Sequence, residues 1–278
     1  MRVRLAFALS LLVLALPGVG WTQQPLKTAV DGTFAPHAMP KLEGGIQGFN
    51  VDLANEVAKR LNRPVEVEAM QFSGILPALQ AGTLDFVAAP VTVTKERADN
   101  YIFTEGYLNT DYQFLTKKGE PAITDLKQFK GKVIAVNKGA IYDSWARGLE
   151  GEIGWRVESF GTQTDAVQAV LAGRAYANVA GNTAIQWAVK QQPQLQLSYL
   201  YSTGLVWAMP LRKDSLALRS ELENAIECMK KDGTMAAMHE RWFGTKPEAN
   251  SPAVTIYPGT GVPGTAGYDA TPREPKCG

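Results

Sequence analysis

The sequence predicts an α/β fold of two similar lobes, each a mostly parallel sheet flanked by helices, joined by two hinge strands. Three observations predict it. Strand-like and helix-like runs alternate, the order of those runs occurs twice, and two long strand-like passages connect the two sets.

The first set begins with "LKTAVDG", Leu26 to Gly32, a strand leading into a turn. "FNVDLANEVAKRLN" follows, with Val51, Leu53, Ala54, Val57, Ala58 and Leu61 at helical spacing and a solvated Glu56/Lys59/Arg60 face. "PVEVEAM" alternates as a strand. "ILPALQAG" reads as a helix stopped by Gly82, a residue suited to the left-handed position beyond a last turn. "LDFVAAP" completes a β-α-β-α-β series.

The second set repeats the order: "KVIAVNKG" as a strand ending in a glycine loop, "IYDSWARGL" as a helix start, then "RVESF", "QTDAVQAVLAG" and "AYANVAG". "NTDYQFLTKKG" leads out of the first set and "YSTGLVWAMPLRK" leads back. The final helical stretch, "SLALRSELENAIECMKKDGTMAAMHERWFG", has no lobe of its own, so it is expected to finish the first lobe. The boundaries read as 25–108 with 206–246 for lobe one and 109–205 for lobe two. Two crossing strands between lobes make a hinge. From Pro247 onward the chain is rich in Pro and Gly without periodicity, so 247–278 reads as an extended tail, with "AVTIY" a candidate edge strand.

The amino terminus reads as an export signal, residues 1–22. Arg2 and Arg4 precede an apolar run, Leu5 to Leu16, too short to span a bilayer comfortably, and small residues at Gly18 and Gly20 suit cleavage. No cysteine follows that run, which argues against a lipoprotein. The two cysteines, Cys228 and Cys277, are candidates for one disulfide in an oxidising compartment, the alternative being two unrelated thiols. A formal net charge of +1, from 28 basic and 27 acidic residues, gives no basic field for a nucleic acid. With 2 His, 2 Cys and no HxxxH or CxxC spacing, no metal site or cofactor is expected.

Several stretches taken together carry a family resemblance: "AVDGTFAPH", "GFNVDLANEVAKRL", "FSGILPALQAGTLDFVAAPVTVTKERA", "FTEGY", "LKQFKGKVIAVNKGA" and "MKKDGTMAAMHERWFG". From about Leu26 to Gly244 the chain resembles the periplasmic substrate-binding proteins of polar amino-acid ABC transporters, solute-binding protein family 3. The resemblance implies the two-lobed periplasmic-binding-protein fold with a small-molecule ligand in the cleft. It also implies a monomeric receptor that serves an inner-membrane ABC permease and is not an enzyme.

The resemblance further implies ligand-binding residues. "TVTKER" places Arg97 as the clamp for a ligand α-carboxylate and Thr92 as a hydroxyl five residues before it. A guanidinium fork matches a carboxylate in two places at once. Ala89 and Pro90 precede this corner. Phe34 and Phe72 are expected as aromatic walls, with Phe49 beneath them. Asp31 falls near the distal part of the ligand, or else it fixes the "DGT" turn. His37 stands where the family usually has an aromatic.

In lobe two, Gly139, Ala140 and Ile141 align with the family's glycine-threonine loop, the hydroxyls being replaced while backbone N–H groups remain. Two corners of the chain echo one another, "ALQAGTLDFVAAPVT" and "AVLAGRAYANVAGNT". The first carries Arg97; the second has no charge. The family commonly places an aspartate there for the α-ammonium, and that place falls on Gly181, with Asn182 beside it. A buried ammonium without an anion is costly. Asp143 or Glu105 is a candidate replacement, and Asn178 and Asn182 are candidates to bond a neutral group. The other expectation is a carboxylate ligand without a free α-amino group, or with a modified amine. Two rival functions remain on this fold: a cyclohexadienyl dehydratase-like enzyme using Glu105 or His37, and a ligand-sensing adaptor.

Overall fold

The computed structural model describes residues 24–277. The proposed export signal, residues 1–22, lies outside the described residues. Among the described residues no helix is long and apolar enough to cross a membrane.

The chain runs β1 (Leu26–Val30), β2 (Met39–Pro40), β3 (Ile46–Gln47), α1 (Phe49–Arg60), β4 (Val65–Ala69), α2 (Phe72–Gln80), β5 (Val91–Thr92), α3 (Lys95–Ala98) and β6 (Ile102–Phe103). It crosses on β7 (Leu108–Lys117). The second lobe holds β8 (Val133–Asn137), α4 (Ile141–Gly148), α5 (Glu150–Ile153), β9 (Arg156–Phe160), α6 (Gln163–Leu171), β10 (Ala177–Gly181) and α7 (Asn182–Gln191). It returns on β11 (Leu195–Ala208) and ends with β12 (Pro210–Leu211), α8 (Leu216–Lys231) and α9 (Thr234–Phe243).

In the first lobe β1 and β4 pair in parallel. "LDFVAAP" does not form the regular strand expected. Its amides alternate between neighbours: Asp85 and Ala89 donate to Lys27 and Ala29 carbonyls at 2.8 and 3.0 Å, and Val87 donates to the Pro210 carbonyl at 3.1 Å. The Ala88 N–H is captured by the Thr28 hydroxyl at 2.8 Å, which interrupts the ladder. α1 buries Val51, Leu53, Ala54, Val57 and Ala58 of the stripe its spacing predicts, with Phe49 beside them, and α8 and α9 pack on it. The final helical stretch is two helices rather than one. Gly233, at φ 85°, breaks it, a conformation that costs glycine least.

The second lobe is built on a six-stranded sheet in the order β5-β11-β7-β10-β8-β9, whose edge strand β5 comes from the first lobe. β10, β8 and β9 are parallel, whereas β7 and β11 join antiparallel because they are the crossing strands. Phe114 of β7 stacks on Phe129 at a ring distance of 4.6 Å, with Trp155 beside both, to form this lobe's core. "AGNTA" is not a loop: β10 ends at Gly181 and α7 starts at Asn182.

Past Lys246 the chain is irregular but packed. "AVTIY" forms no strand, although Ala253 is buried. Amides of this segment satisfy carboxylates of the body: Tyr257 N–H donates to Glu105 Oε2 at 3.0 Å, and Gly261 N–H donates to Glu223. Lys230, wholly buried, pairs with Glu105 and donates to the carbonyls of Gly106 and Thr255 at 2.8 and 2.9 Å. Arg273 reaches Glu227 at 2.8 Å and Glu223 at 3.2 Å. Cys277 is bonded to Cys228 of α8. The segment is a strap, fastened to α8 and touching Glu105–Gly106 just before β7.

Candidate ligand-binding cleft

Arg97 sits in α3, whose first turn is capped by the Thr94 side chain accepting the Arg97 N–H at 3.2 Å. The Arg97 Nη1 donates to the Thr92 carbonyl at 3.1 Å, and its guanidinium carbon lies 6.0 Å from the Phe72 ring centre. Among the described residues no carboxylate stands within ion-pair distance of it. Burial pulls its pKa below the usual arginine value. The cleft therefore holds a desolvated cation with donors to spare.

The Thr92 hydroxyl accepts the indole N–H of Trp207 at 3.1 Å. With that lone pair occupied, its own proton is left to donate, which suits an anionic acceptor. Phe34, Phe72, Pro90, Thr92 and Arg97 line the inner cavity together with Asp31, Asn137, Ala140, Ile141 and Tyr142. Ala89 lies behind this wall, its N–H bonded to Ala29.

Asp31 fixes its turn with one oxygen and turns the other to the cleft. Its Oδ1 accepts the Thr33 N–H and hydroxyl at 2.9 and 2.7 Å, fixing the turn. Its Oδ2 faces the cleft and accepts the Asn137 amide across it at 2.7 Å. Two more bonds cross between lobes. Gln163 N–H donates to the Thr33 hydroxyl at 3.1 Å, and His37 Nε2 meets the Thr183 hydroxyl at 2.7 Å.

His37 does not line the inner cavity. It is fully buried, stacked on Phe34 and edge-on to Trp207. The Asn50 amide donates to the Ala88 carbonyl and the Tyr107 hydroxyl, so Asn50 Oδ1 must accept from His37 Nδ1–H at 2.8 Å. That fixes the tautomer: Nε2 accepts from Thr183. Burial pulls the imidazole pKa down to about 4, only partly opposed by the Asn50 bond.

The glycine loop of the second lobe differs from expectation. Gly139, at φ 78°, packs its backbone on Ser73, where a Cβ would lie 3.0 Å from the Ser73 Cα. Its N–H is bonded by Asp143 at 3.1 Å, and the Ala140 N–H is bonded to the Asn137 carbonyl at 3.2 Å. Neither N–H is free for a ligand.

At the uncharged corner the aspartate position is not merely vacant. A Cβ on Gly181 would lie 2.5 and 2.6 Å from Trp207 ring carbons and 2.8 Å from the Tyr142 hydroxyl. The candidate replacements do not reach this place. Asp143 bonds Arg147 and Ser159 at 2.8 and 2.7 Å. Glu105 is buried against Lys230 under the strap. Asn178 is occupied by Gln163 and the Ala135 carbonyl. Asn182 stands in the first turn of α7, its Oδ1 buried without a partner.

Sequence reasoning missed Trp207, Tyr142, Asn137 and Thr183. Tyr142 and Asn137 flank the glycine loop, and Thr183 follows Asn182. Trp207 carries no local motif; only its pairing opposite Thr92 reveals it.

The inner cavity encloses ≈ 10 Å³, about the space of one water. An outer cavity of ≈ 580 Å³ shares Arg97, Ala140 and Ile141 with it. The inner cavity as it stands is too small for a solute larger than water. The one cluster of three carboxylates with metal-like spacing among the described residues, Glu105, Glu223 and Glu227, lies under the strap, where Lys230 and Arg273 already answer its charge.

The sequence profile of the bacterial extracellular solute-binding proteins, family 3, matches residues 26–245. The chain is 30% identical over 225 residues to the L-cystine-binding protein TcyJ of Escherichia coli (strain K12), covering 79% of this chain and 82% of that protein. An ancestral arginine-binding protein bound to arginine superposes with a TM-score of 0.77 at 32% identity, over 80% of this chain and 100% of that one. An ancestral amino acid-binding protein described as a precursor of cyclohexadienyl dehydratase superposes with a TM-score of 0.74 at 28% identity, over 79% and 95% of the two chains. A profile spanning nearly all of the chain up to the strap, and a two-lobed fold closing on an arginine, make this chain a member of the bacterial extracellular solute-binding proteins of family 3.

Proposed function

We propose that the protein is a periplasmic receptor that captures a small, carboxylate-bearing, amino-acid-like solute between its lobes and presents it to an inner-membrane ABC permease. One observation carries the reading: the Arg97 guanidinium lines the interlobe cavity with no carboxylate of its own. A solute carboxylate completes it, with the Thr92 hydroxyl as a further donor and Phe34, Phe72, Pro90, Ala140 and Ile141 as walls. Binding to one lobe followed by closure of the other selects the closed state. Lobe one comprises 25–108 and 206–246, and lobe two 109–205. Export follows cleavage of residues 1–22.

Relatives are named for binding cystine and arginine, and the unanswered place at Gly181 shifts this chain away from an ordinary α-amino acid. The test is a thermal-shift panel of amino acids, N-modified amino acids and simple carboxylates. A bound carboxylate raises the melting temperature by mass action. No shift with any carboxylate contradicts the proposal.

The likeness to a dehydratase precursor favours a second reading, an enzyme on the same scaffold. Its two candidate acid-base groups are otherwise engaged, Glu105 with Lys230 and His37 with Asn50 and Thr183. Turnover of prephenate by the purified protein would revive that reading.

A further inference from the structure

His37 is an ionisable ring of the first lobe that the second lobe covers. It is fully buried. Phe34 stacks on it, and Phe49 and Asn50 of α1, Trp207 of β11 and Phe243 of α9 pack around it. From the other lobe, Thr183 in the first turn of α7 meets its Nε2 at 2.7 Å.

None of these groups is charged. Tyr107, which Asn50 also bonds, is kept as the phenol by burial. The titratable groups on the packed elements stand one residue removed. His239 of α9 touches Phe243 rather than His37. Asp52 of α1 is taken up by Trp242 and Arg241. Lys190 of α7 borders the surface hollow that Pro36, Thr183 and Phe243 share, and a cation there opposes a second one at His37. A protonated His37 could keep both of its hydrogen bonds, since a hydroxyl accepts as well as donates. It would still carry a full charge that no anion answers, which is costly in a buried site.

We propose that His37 makes capture of the solute proton-linked: the lobes close over the neutral imidazole, so closure expels a proton from His37 and acid favours the open form. The inference rests on the receptor reading above and adds to it a residue that does not line the inner cavity. When the lobes part, Thr183 leaves with α7, and Nε2 faces water, where an imidazole protonates at its ordinary pH. Burial holds the covered ring down at about 4, against 6.5 for a free imidazole. A group with a lower pKa in the closed form favours closure fully above the higher value, and that support is lost as pH falls toward the lower one. Affinity is therefore expected to be about tenfold lower at pH 5.5 than at pH 7.5, with close to one proton released per solute bound at pH 5.5. Glu227 also titrates in this range. It faces Glu105, Glu223, Lys230 and Arg273 under the strap rather than any residue of α7, so closure does not move its proton.

The experiment is calorimetric titration with L-arginine, L-glutamine, N-acetyl-L-arginine, N-acetyl-L-alanine and lactate at pH 5.5 and 7.5. Buffers of different ionisation enthalpy give the protons released along with the affinity. Any probe that binds is expected to show the tenfold loss in acid and the released proton. His37→Gln puts a neutral polar side chain in place of the ring and should bind equally at both pH values. His239→Gln removes only the other of the two histidines and should keep the wild-type profile. NMR of the His37 ring in the wild type gives the same answer without a variant, with titration near 6.5 in the free protein and near 4 with a probe bound. Binding independent of pH, with no proton released, overturns this inference and leaves the receptor reading standing. So does a pH dependence that survives in His37→Gln, or a His37 titration that is the same free and bound. Binding of none of the probes overturns the receptor reading and this inference together.

Discussion

The indole of Trp207 occupies the volume that any side chain at Gly181 would need, with ring carbons 2.5 and 2.6 Å from where a Cβ would stand. Both residues are buried, Trp207 completely. Gly181→Ala is therefore expected to destabilise the fold by about 1–3 kcal/mol, the usual cost of overpacking a filled core. Urea unfolding checks it, and an unchanged midpoint would show that the indole moves freely.

The His37–Thr183 bond joins the lobes at 2.7 Å. Thr183→Val keeps the shape and removes the donor, leaving His37 Nε2 buried and unpaired. Closure should lose about 1 kcal/mol, the net worth of a neutral hydrogen bond. A weakening of ligand affinity of roughly fivefold in calorimetry is expected, because affinity scales with the population of the closed form.

The strap should contribute to global stability through its closed loop, the cysteines being 49 residues apart. Cys277→Ser is expected to lower the unfolding free energy by ~2–4 kcal/mol, as loop-closure entropy suggests. Reduction of the wild type should reproduce the value of the variant. A denaturation curve insensitive to reductant would contradict this.

Glu227 predicts a pH dependence. Burial first, then the nearby Glu105 and Glu223 charges, push its carboxyl up to about 7 against the opposing pull of Arg273 and Lys230. The folded state thus holds a proton on Glu227 between about 4.5 and 7 that the unfolded state releases, so this group lowers stability as pH rises through that window. His37 acts oppositely: its folded pKa lies near 4, below the model-peptide 6.5, so it adds stability as pH rises between those values. Glu227→Gln should remove only the first effect. Melting temperature minus that of the wild type should grow from pH 5 to pH 8; a constant difference would exclude Glu227 as the titrating group.

Much of the fold was legible because it is written in local pattern. The α1 stripe, the β8, β9 and β10 runs and the crossing strands β7 and β11 follow from periodicity and spacing. The α7 helix was hidden because Gly181 leads into it without a loop or a side-chain cap. The break at Gly233 was a single residue inside a continuous helical pattern. In the cleft, residues within motifs such as Arg97 and Thr92 were nameable in advance. Trp207, Asn137 and Thr183 were not, because each acquires its role from a partner distant in sequence: Thr92, Asp31 and His37. The strap was illegible for the same reason. Its Pro/Gly texture gives no periodicity, and its order comes from buried carboxylates of α8 and of Glu105.

The central claim is that Arg97 receives the carboxylate of the solute. Calorimetric titration of wild type and Arg97→Ala with the tightest-binding carboxylate of the panel tests it most directly. Loss of about 2–5 kcal/mol of binding free energy, or roughly thirtyfold to several-thousandfold in affinity, is predicted for removing one partner of a desolvated charge pair. Equal affinity in the two proteins, with equal melting temperatures before ligand is added, would contradict it.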